Sequence, residues 1–420
     1  MAAHRRRRLA VGAGVLVALG GVGVGAYLLA DSLGGDEEPP APAPSIVIRE
    51  PQPAAAEDLG FPAFATKNTT RVAGVDPAAH AAGVALAVFP STGGVERPAA
   101  VSLVADDDWP AGLAAASLVA EPIRAPILVS GSDEIPEFTA DALAALAPTG
   151  SAKTDGKQIF TIASATAPRG LPAEAISGSN PAETAAEIDR LRQKLTGDSP
   201  QHILLASSEQ PAFAMPAAAW AARSGDPVLF VKRETAPKST LDALRRHRGV
   251  PVYALGPPSV ISDKTLEAVR KLSPSTRRIG SPDPVDNAIA FARYTSGSFG
   301  WDINDPGHGF VIANASRPLD AAAAAPLSAS GTWGPLLITD DGSRVDGALR
   351  EYLLDVKPGY LGDPTRAVYN HVWVIGDEGA ISVDFQSQVD DLVEVVQIRS
   401  GRGAQLGPPP GTPEREGKGP

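Results

Sequence analysis

The sequence predicts an α/β protein: three tandem repeats of a small three-layer unit with a mainly parallel sheet, placed after an N-terminal transmembrane helix. Three observations predict it. A Gly/Pro corner that starts a helix occurs three times at nearly equal spacing. An apolar run suited to a buried strand follows each corner, and a second apolar run, led by Pro, follows each of those.

The corner is clearest at Gly178-Ser179-Asn180-Pro181-Ala182-Glu183-Thr184-Ala185. Gly178 tolerates backbone angles closed to other residues. Asn180 suits an N-cap, and Pro181 suits the first helical position, where no donor is needed. The same pattern stands at Gly74 to Ala81 and, one residue longer, at Gly280 to Ala288. Gly74, Gly178 and Gly280 lie 104 and 102 residues apart, which indicates three copies of one unit.

The first apolar runs are Ala100–Ala105, His202–Ala206 and Phe310–Ala313. Continuous runs of this kind suit strands covered on both faces of a parallel sheet. Ala-rich helices follow over Pro110–Ala120, Pro211–Ala222 and Pro318–Leu327. The Pro-led strands are Pro126–Val129, Pro227–Phe230 and Pro335–Ile338, with Pro at a position that needs no ladder donor. A further helix carries Leu143 and Leu146, Leu241 and Leu244, or Leu349 and Leu353. A third strand follows at Gln158–Ala163, Pro251–Gly256 and His371–Gly376. A helix such as Asp263–Leu272 then leads to a short strand and the next corner. The last short strand, Leu392–Ile398, is expected to close the third unit. Strands alternating with helices indicate βαβ units.

The unit boundaries expected are 67–172, 173–275 and 276–400. Ahead of them, residues 1–8 form a cytoplasmic basic segment with Arg5 to Arg8, and residues 9–30 form an uncharged stretch. As a helix that stretch would span roughly 33 Å, enough for a bilayer core. The basic cluster places the N-terminus in the cytoplasm and the repeats outside. A cleaved signal peptide is the rival reading, although Leu28-Leu29-Ala30 makes a poor cleavage site. Residues 31–66 read as a Pro/Ala/acid-rich linker and 401–420 as a disordered tail.

Composition excludes several chemistries. There is no cysteine, so disulfides and thiolate sites are absent. Four of the 37 basic residues fall in the first eight, so the chain from Asp31 onward holds 33 basic against 48 acidic residues, a net of −15. That balance argues against broad nucleic-acid binding. None of the six His residues has metal-ligand spacing with another, and no Gly-x-Ser-x-Gly elbow or phosphate loop occurs. No cofactor is expected.

The chain resembles the cell wall-binding repeat 2 family of Gram-positive surface proteins. The residues that carry the resemblance are Arg71-Val72-Ala73-Gly74 and Arg277-Arg278-Ile279-Gly280, then Glu183-Thr184-Ala185, Trp109-Pro110-Ala111-Gly112-Leu113 and Pro126-Ile127-Leu128-Val129. Leu255-Gly256 with Ile261-Ser262, and Ile375-Gly376 with Ile381-Ser382, echo the end of the unit. The middle copy has Ala175 in place of the opening Arg. The resemblance implies three α/β domains around a pseudo-threefold axis, and non-covalent attachment to an anionic wall polymer.

Candidate contacts follow from charge and helix ends. Asp76, Asn180 and Asp283 mark three helix N-termini, which attract anions, and Arg71 and Arg277 stand just before two of them. The alternative is that each Arg pairs with an acid of the neighbouring repeat. Arg245, Arg246 and Arg248 form the densest positive cluster beyond the N-terminus. Asp106-Asp107-Asp108 lies at the carboxyl edge of the first strand, where α/β sheets bind ligands. The function expected is non-catalytic: a membrane-anchored surface protein binding an anionic envelope polymer, a glycan or a protein partner. The alternative is a small-molecule binder or enzyme acting at the carboxyl edge of one sheet.

Overall fold

The computed structural model describes residues 62–74, 76–90, 97–329, 334–345 and 347–398. The expected membrane helix at 9–30, most of the linker and the tail lie outside these residues. Among the described residues, no helix is long and apolar enough to cross a membrane.

Each unit is built on a parallel sheet with the same strand order, the second strand at one edge, then the first, third and fourth. In the first sheet β3 (Val101–Ala105) lies between β4 (Ile127–Ser130) and β5 (Ile159–Ile162), and β6 (Ala173–Ile176) is the fourth strand. In the second, β7 (Ile203–Ser207) lies between β8 (Val228–Val231) and β9 (Val252–Leu255), followed by β10 (Arg277–Ile279). Each β3 and β7 residue is buried, as expected for strands covered on both faces.

The third sheet differs in where its fourth strand comes from. β11 (Gly309–Asn314), β12 (Leu336–Thr339) and β14 (His371–Ile375) come from the third unit, but the fourth strand is β2 (Thr69–Val72), from the start of the described chain. β2 runs parallel to β14, with Thr70 opposite Trp373 and Arg71 opposite Val374. A fifth strand, β1 (Pro62–Ala65), pairs antiparallel outside it. The stretch Leu392–Ile398 therefore does not close the third sheet, contrary to expectation. Phe385, Val389, Leu392 and Val393 are buried at helical spacing within α12 (Val383–Val393). The strand in that stretch is only the two-residue β15 (Val396–Gln397), which pairs with β13 (Gly359–Tyr360) in a separate ribbon.

Each corner thus joins two sheets: the strand before it belongs to one and the helix after it packs on the next. The corner helices are α1 (Pro77–Val88), α4 (Pro181–Thr196) and α9 (Pro284–Arg293). They pack on β4, β8 and β12 respectively. Ala-rich helices form the centre: α2 (Trp109–Ala115), α6 (Pro216–Ser224) and α10 (Pro318–Ala329). Their small side chains let backbones approach closely. A Cβ built on Gly112 would lie 2.9 Å from Ala322 Cβ. The corner glycines serve the same need for space: a Cβ on Gly178 would lie 2.4 Å from the Thr184 nitrogen, and one on Gly74 would lie 2.3 Å from Ala79 Cβ. Neither has a left-handed φ, so close approach, and not the backbone freedom expected, requires Gly there.

The first unit lacks one helix. α8 (Asp263–Arg270) and α12 follow the third strands of the second and third units, while residues 163–172 form an irregular connection in the first.

Candidate functional site

The structure separates the predicted site residues into fold-holding and exposed groups. Arg71 is fully buried. Its Nε donates to Gln386 Oε1 at 2.8 Å, Nη1 to the carbonyls of Gly376 (2.7 Å) and Asp377 (3.2 Å), and Nη2 to Ser382 O (3.1 Å). Burial lowers its pKa to about 10, against the opposing charges of Glu378 and Asp377, so it stays charged at neutral pH. Arg71 is therefore a clasp inside the third sheet and offers nothing to an external polymer. This is close to the alternative of pairing with the neighbouring repeat, although the direct partners are mainly carbonyls.

The ladder also moves the equivalent residue by one. Arg278 lies opposite Ala254, as Arg71 lies opposite Val374, and donates to the carbonyls of Gly256 (2.7 Å) and Ile261 (2.8 Å) and to Asp263 Oδ1 (3.0 Å). Arg277, chosen by counting back from Gly280, is exposed and contacts Ser296. In the first sheet the position belongs to Ala175, opposite Thr161.

At the corners, the capping side chains occupy the helix donors themselves. Asp76 accepts from Ala79 N (2.9 Å). Asn180 accepts from Ala182 N and Glu183 N (both 3.1 Å), and Asp283 accepts from Val285 N (2.8 Å) and Asp286 N (3.4 Å). An incoming anion would compete with these caps and, at Asp76 and Asp283, meet a carboxylate. The basic cluster is similarly engaged. Arg245 pairs with Asp242, Arg246 with Asp189 (2.7 Å), and the buried His247 also with Asp189 (2.9 Å). Arg248 is exposed.

A groove forms where the third unit docks on the first. Its volume is about 350 Å³, in the size range of small-ligand clefts, and its lining combines Asp76, Asp106, Asp107 and Trp109 with Ser316 and Arg317. Two local rules place these groups. Strand β3 ends at Ala105, so Asp106 and Asp107 lie exposed at the carboxyl edge of the sheet, while Asp108 caps α2 by accepting from Ala111 N (3.0 Å). Burial raises the Asp108 pKa, against the Ala111 bond, and Asp107 adds to the rise. Trp109 begins α2 half-buried, its ring meeting Phe230 of the second unit edge-on at 6.0 Å. Arg317 stands opposite, 3.3 Å from Asp377. Two exposed carboxylates, an aromatic ring and a guanidinium suit a ligand rich in hydroxyls, which donate to carboxylates and stack their C–H faces on a ring. The Asp106–Asp107 pair was legible as a strand-end cluster, but its partners from the third unit were not.

The docking of these two units also depends on a buried pair. His80 Nδ1 lies 2.9 Å from Asp320 Oδ1 and Nε2 lies 3.2 Å from Gly74 O, with His80 and Asp320 both inaccessible to solvent. Both ring nitrogens face acceptors, so only the doubly protonated ring donates to both.

One arrangement has the layout of a nucleophile, base and acid. Ser298 Oγ lies 3.1 Å from His202 Nε2, and His202 Nδ1 lies 3.1 Å from Asp226 Oδ2. Phe299 N, the donor beside the serine, is already bonded to Ser296 O, and Asp226 is shared with Trp220 Nε1 (2.9 Å). This set clasps a hairpin to the sheet, and the backbone donor beside the serine is committed within that hairpin. Among the described residues, no group of three His, Asp or Glu is placed to hold a metal ion.

Comparison with known proteins fits this geometry. The family described as Cell wall binding domain 2 (CWB2) matches residues 175–266 and 278–386. The segments start at Ala175 and Arg278, the two structural equivalents of Arg71. No curated protein matches by sequence. Among solved structures, Cwp6 from Clostridium difficile is similar with a TM-score of 0.61 at 18% identity, over 78% of this chain and 48% of that one. Cwp8 from Clostridium difficile is similar with a TM-score of 0.60 at 20% identity, over 78% and 52%. The chain spans about half the length of each, and at these identities the likeness carries the fold alone. The second and third units are thus each a match to the cell wall binding domain 2 family.

Proposed function

We propose that this chain is a non-catalytic cell-surface protein that holds a cell-wall polymer in the groove between its third and first units. The observation that supports this most is the convergence of Trp109, Asp106, Asp107 and Arg317 on one cleft, in a chain whose second and third units match a wall-binding family. The recognised feature is the hydroxyl face of a glycan, with Arg317 available to a phosphate or carboxylate on the same polymer. Residues 9–30 act as the membrane anchor in this reading, with the repeats on the wall side.

The test is sedimentation of residues 45–420 with purified walls, before and after anionic polymers are stripped. Binding to untreated walls should fall about tenfold or more in Trp109→Ala, the scale of an aromatic anchor. Equal binding of Trp109→Ala and the parent would remove the groove from the reading. Binding unchanged by stripping would assign recognition to the remaining glycan. The anchor is tested separately, by whether the full chain stays in the membrane pellet after alkaline extraction.

A further inference from the structure

We propose that the third unit carries a self-pairing surface through which two copies of this chain associate. Among the described residues, the large apolar side chains left exposed are Leu354, Leu361, Val368, Tyr369, Val396 and Ile398. All belong to the third unit: Val396, Ile398 and Leu361 lie on or next to the ribbon formed by β13 and β15, Leu354 lies at the end of the preceding helix, and Val368 and Tyr369 lie on the connection that follows. The second unit passes from its helix to its third strand through residues 247–251, whereas the third uses residues 356–370 for the same step. This insertion is the feature of the third unit that carries the patch.

The insertion is fixed in place. Buried Asn370 accepts from the backbone nitrogens of Gly307 (2.8 Å) and His308 (3.1 Å), and its Nδ2 donates to Val356 O (2.8 Å). A surface already ordered in this way loses little entropy on docking.

Charge selects the occupant. On the connection and beside β15 stand four acids, Asp355, Asp363, Asp391 and Glu394, and four bases, Lys357 and Arg366 with Arg293 and Lys67, which pair with Asp355 and Glu394. Asp355 pairs with Arg293 at 2.5 Å, Lys357 donates to Asp391 O at 2.5 Å, and Asp363 accepts from Thr365 N at 2.9 Å. Two copies of a chain with a net of −15 beyond Asp31 repel over most of their surfaces, and a charge-balanced apolar face is where they approach at least cost. The same balance disfavours anionic lipid, which recruits basic clusters. Among the described residues, the ladder has no third strand beyond β15. Val396 to Ile398 thus presents an open edge, and antiparallel pairing with the same edge of a second copy across a twofold axis satisfies both.

Residues 45–420 contain every element described, and analytical ultracentrifugation of this fragment tests the proposal over about 1 to 100 µM, the range of modest protein affinities. A monomer–dimer equilibrium is expected, weakened about tenfold or more by Ile398→Asp and by Tyr369→Ser, both at exposed positions. The amide of Gln397, which faces the open edge while those of Val396 and Ile398 are bonded within the ribbon, should exchange more slowly in the dimer. A monomer across the whole range would overturn the proposal, as would a dimer unchanged by both substitutions. Flotation of a monomer with zwitterionic vesicles, lost in both variants, would reassign the patch to lipid.

Discussion

Arg71 and Arg278 hold equivalent places in two different sheets and both donate to the carbonyl of the glycine after the third strand, Gly376 or Gly256, but they do different amounts of structural work. Arg278 sits on a strand whose connection to the rest of its unit runs through ordinary neighbouring chain, and it remains partly exposed. Arg71 sits on a strand with no local connection to its sheet; its partner Gln386 is 315 residues away. The third fourth-strand is held by side chains where the other two are held by the chain. Gln386 Nε2 donates to Thr69 Oγ1 (2.9 Å), Asn68 N donates to Asp390 Oδ1 (2.7 Å), and Lys67 pairs with Glu394 at 2.5 Å. The first sheet, with Ala175 in this position, shows that an Arg is not required where covalent continuity suffices.

Substitutions can sharpen this contrast. The largest effect is expected from Arg71→Ala, which leaves Gln386 and several carbonyls facing a buried gap. It should cost about 3–5 kcal/mol, read from urea unfolding of residues 45–420. A loss below about 1 kcal/mol would mean that pairing with β14 alone holds the strand.

Next is His80→Asn, which copies Asn287 from the equivalent place at the third corner. Burial lowers the His80 pKa, but the hydrogen bond and charge of Asp320, with the carbonyl of Gly74, outweigh it and leave the pKa raised, against repulsion from Arg317. A raised folded-state pKa gives stabilisation that is complete below the unfolded value near 6.5 and fades as pH rises through the folded value. His80→Asn should cost about 1–3 kcal/mol at pH 6 and progressively less at higher pH. Parallel stability–pH curves for parent and variant would show that this histidine is neutral throughout.

Arg278→Ala should cost only about 1 kcal/mol, because the carbonyls it leaves are reachable by water. Ala175→Arg should change stability by no more than about 0.5 kcal/mol. The first unit has no helix after its third strand to supply the partners found at Ser382 and Ile261. A stabilising Ala175→Arg would show that the connection at 163–172 can receive the guanidinium.

The sequence made the units legible because each strand and corner leaves a local mark: β-branched runs, Pro-led strands and Asn or Asp before Pro. It could not reveal which sheet a strand joins. Thr69–Val72 reads the same whether it begins the first unit or completes the third, and only the ladder against His371–Ile375 decides. Arg277 was preferred to Arg278 for a related reason. Ala73 adds one residue between strand and glycine at the first corner, so counting from Gly280 gives the wrong register, and a slip of one turns a side chain to the other face. The stretch at Leu392–Ile398 misled because valines favour strands, while the spacing of Phe385, Val389 and Val393 already carried a helical period. The groove was half-visible: Asp106 and Asp107 stood out, but Arg317 reaches them only because the first and third units meet.

That meeting has a consequence for assembly. The strand Thr69–Val72 leaves the ribosome early yet is among the last that can be placed, since its sheet is not made until some three hundred residues later. Until then Thr69–Val72 is an unsatisfied edge, and contacts between parts so distant in sequence form slowly. The chain must pass through a stage in which two sheets are complete and the third awaits its border, and that stage is where a holding factor or a truncated product would act most strongly.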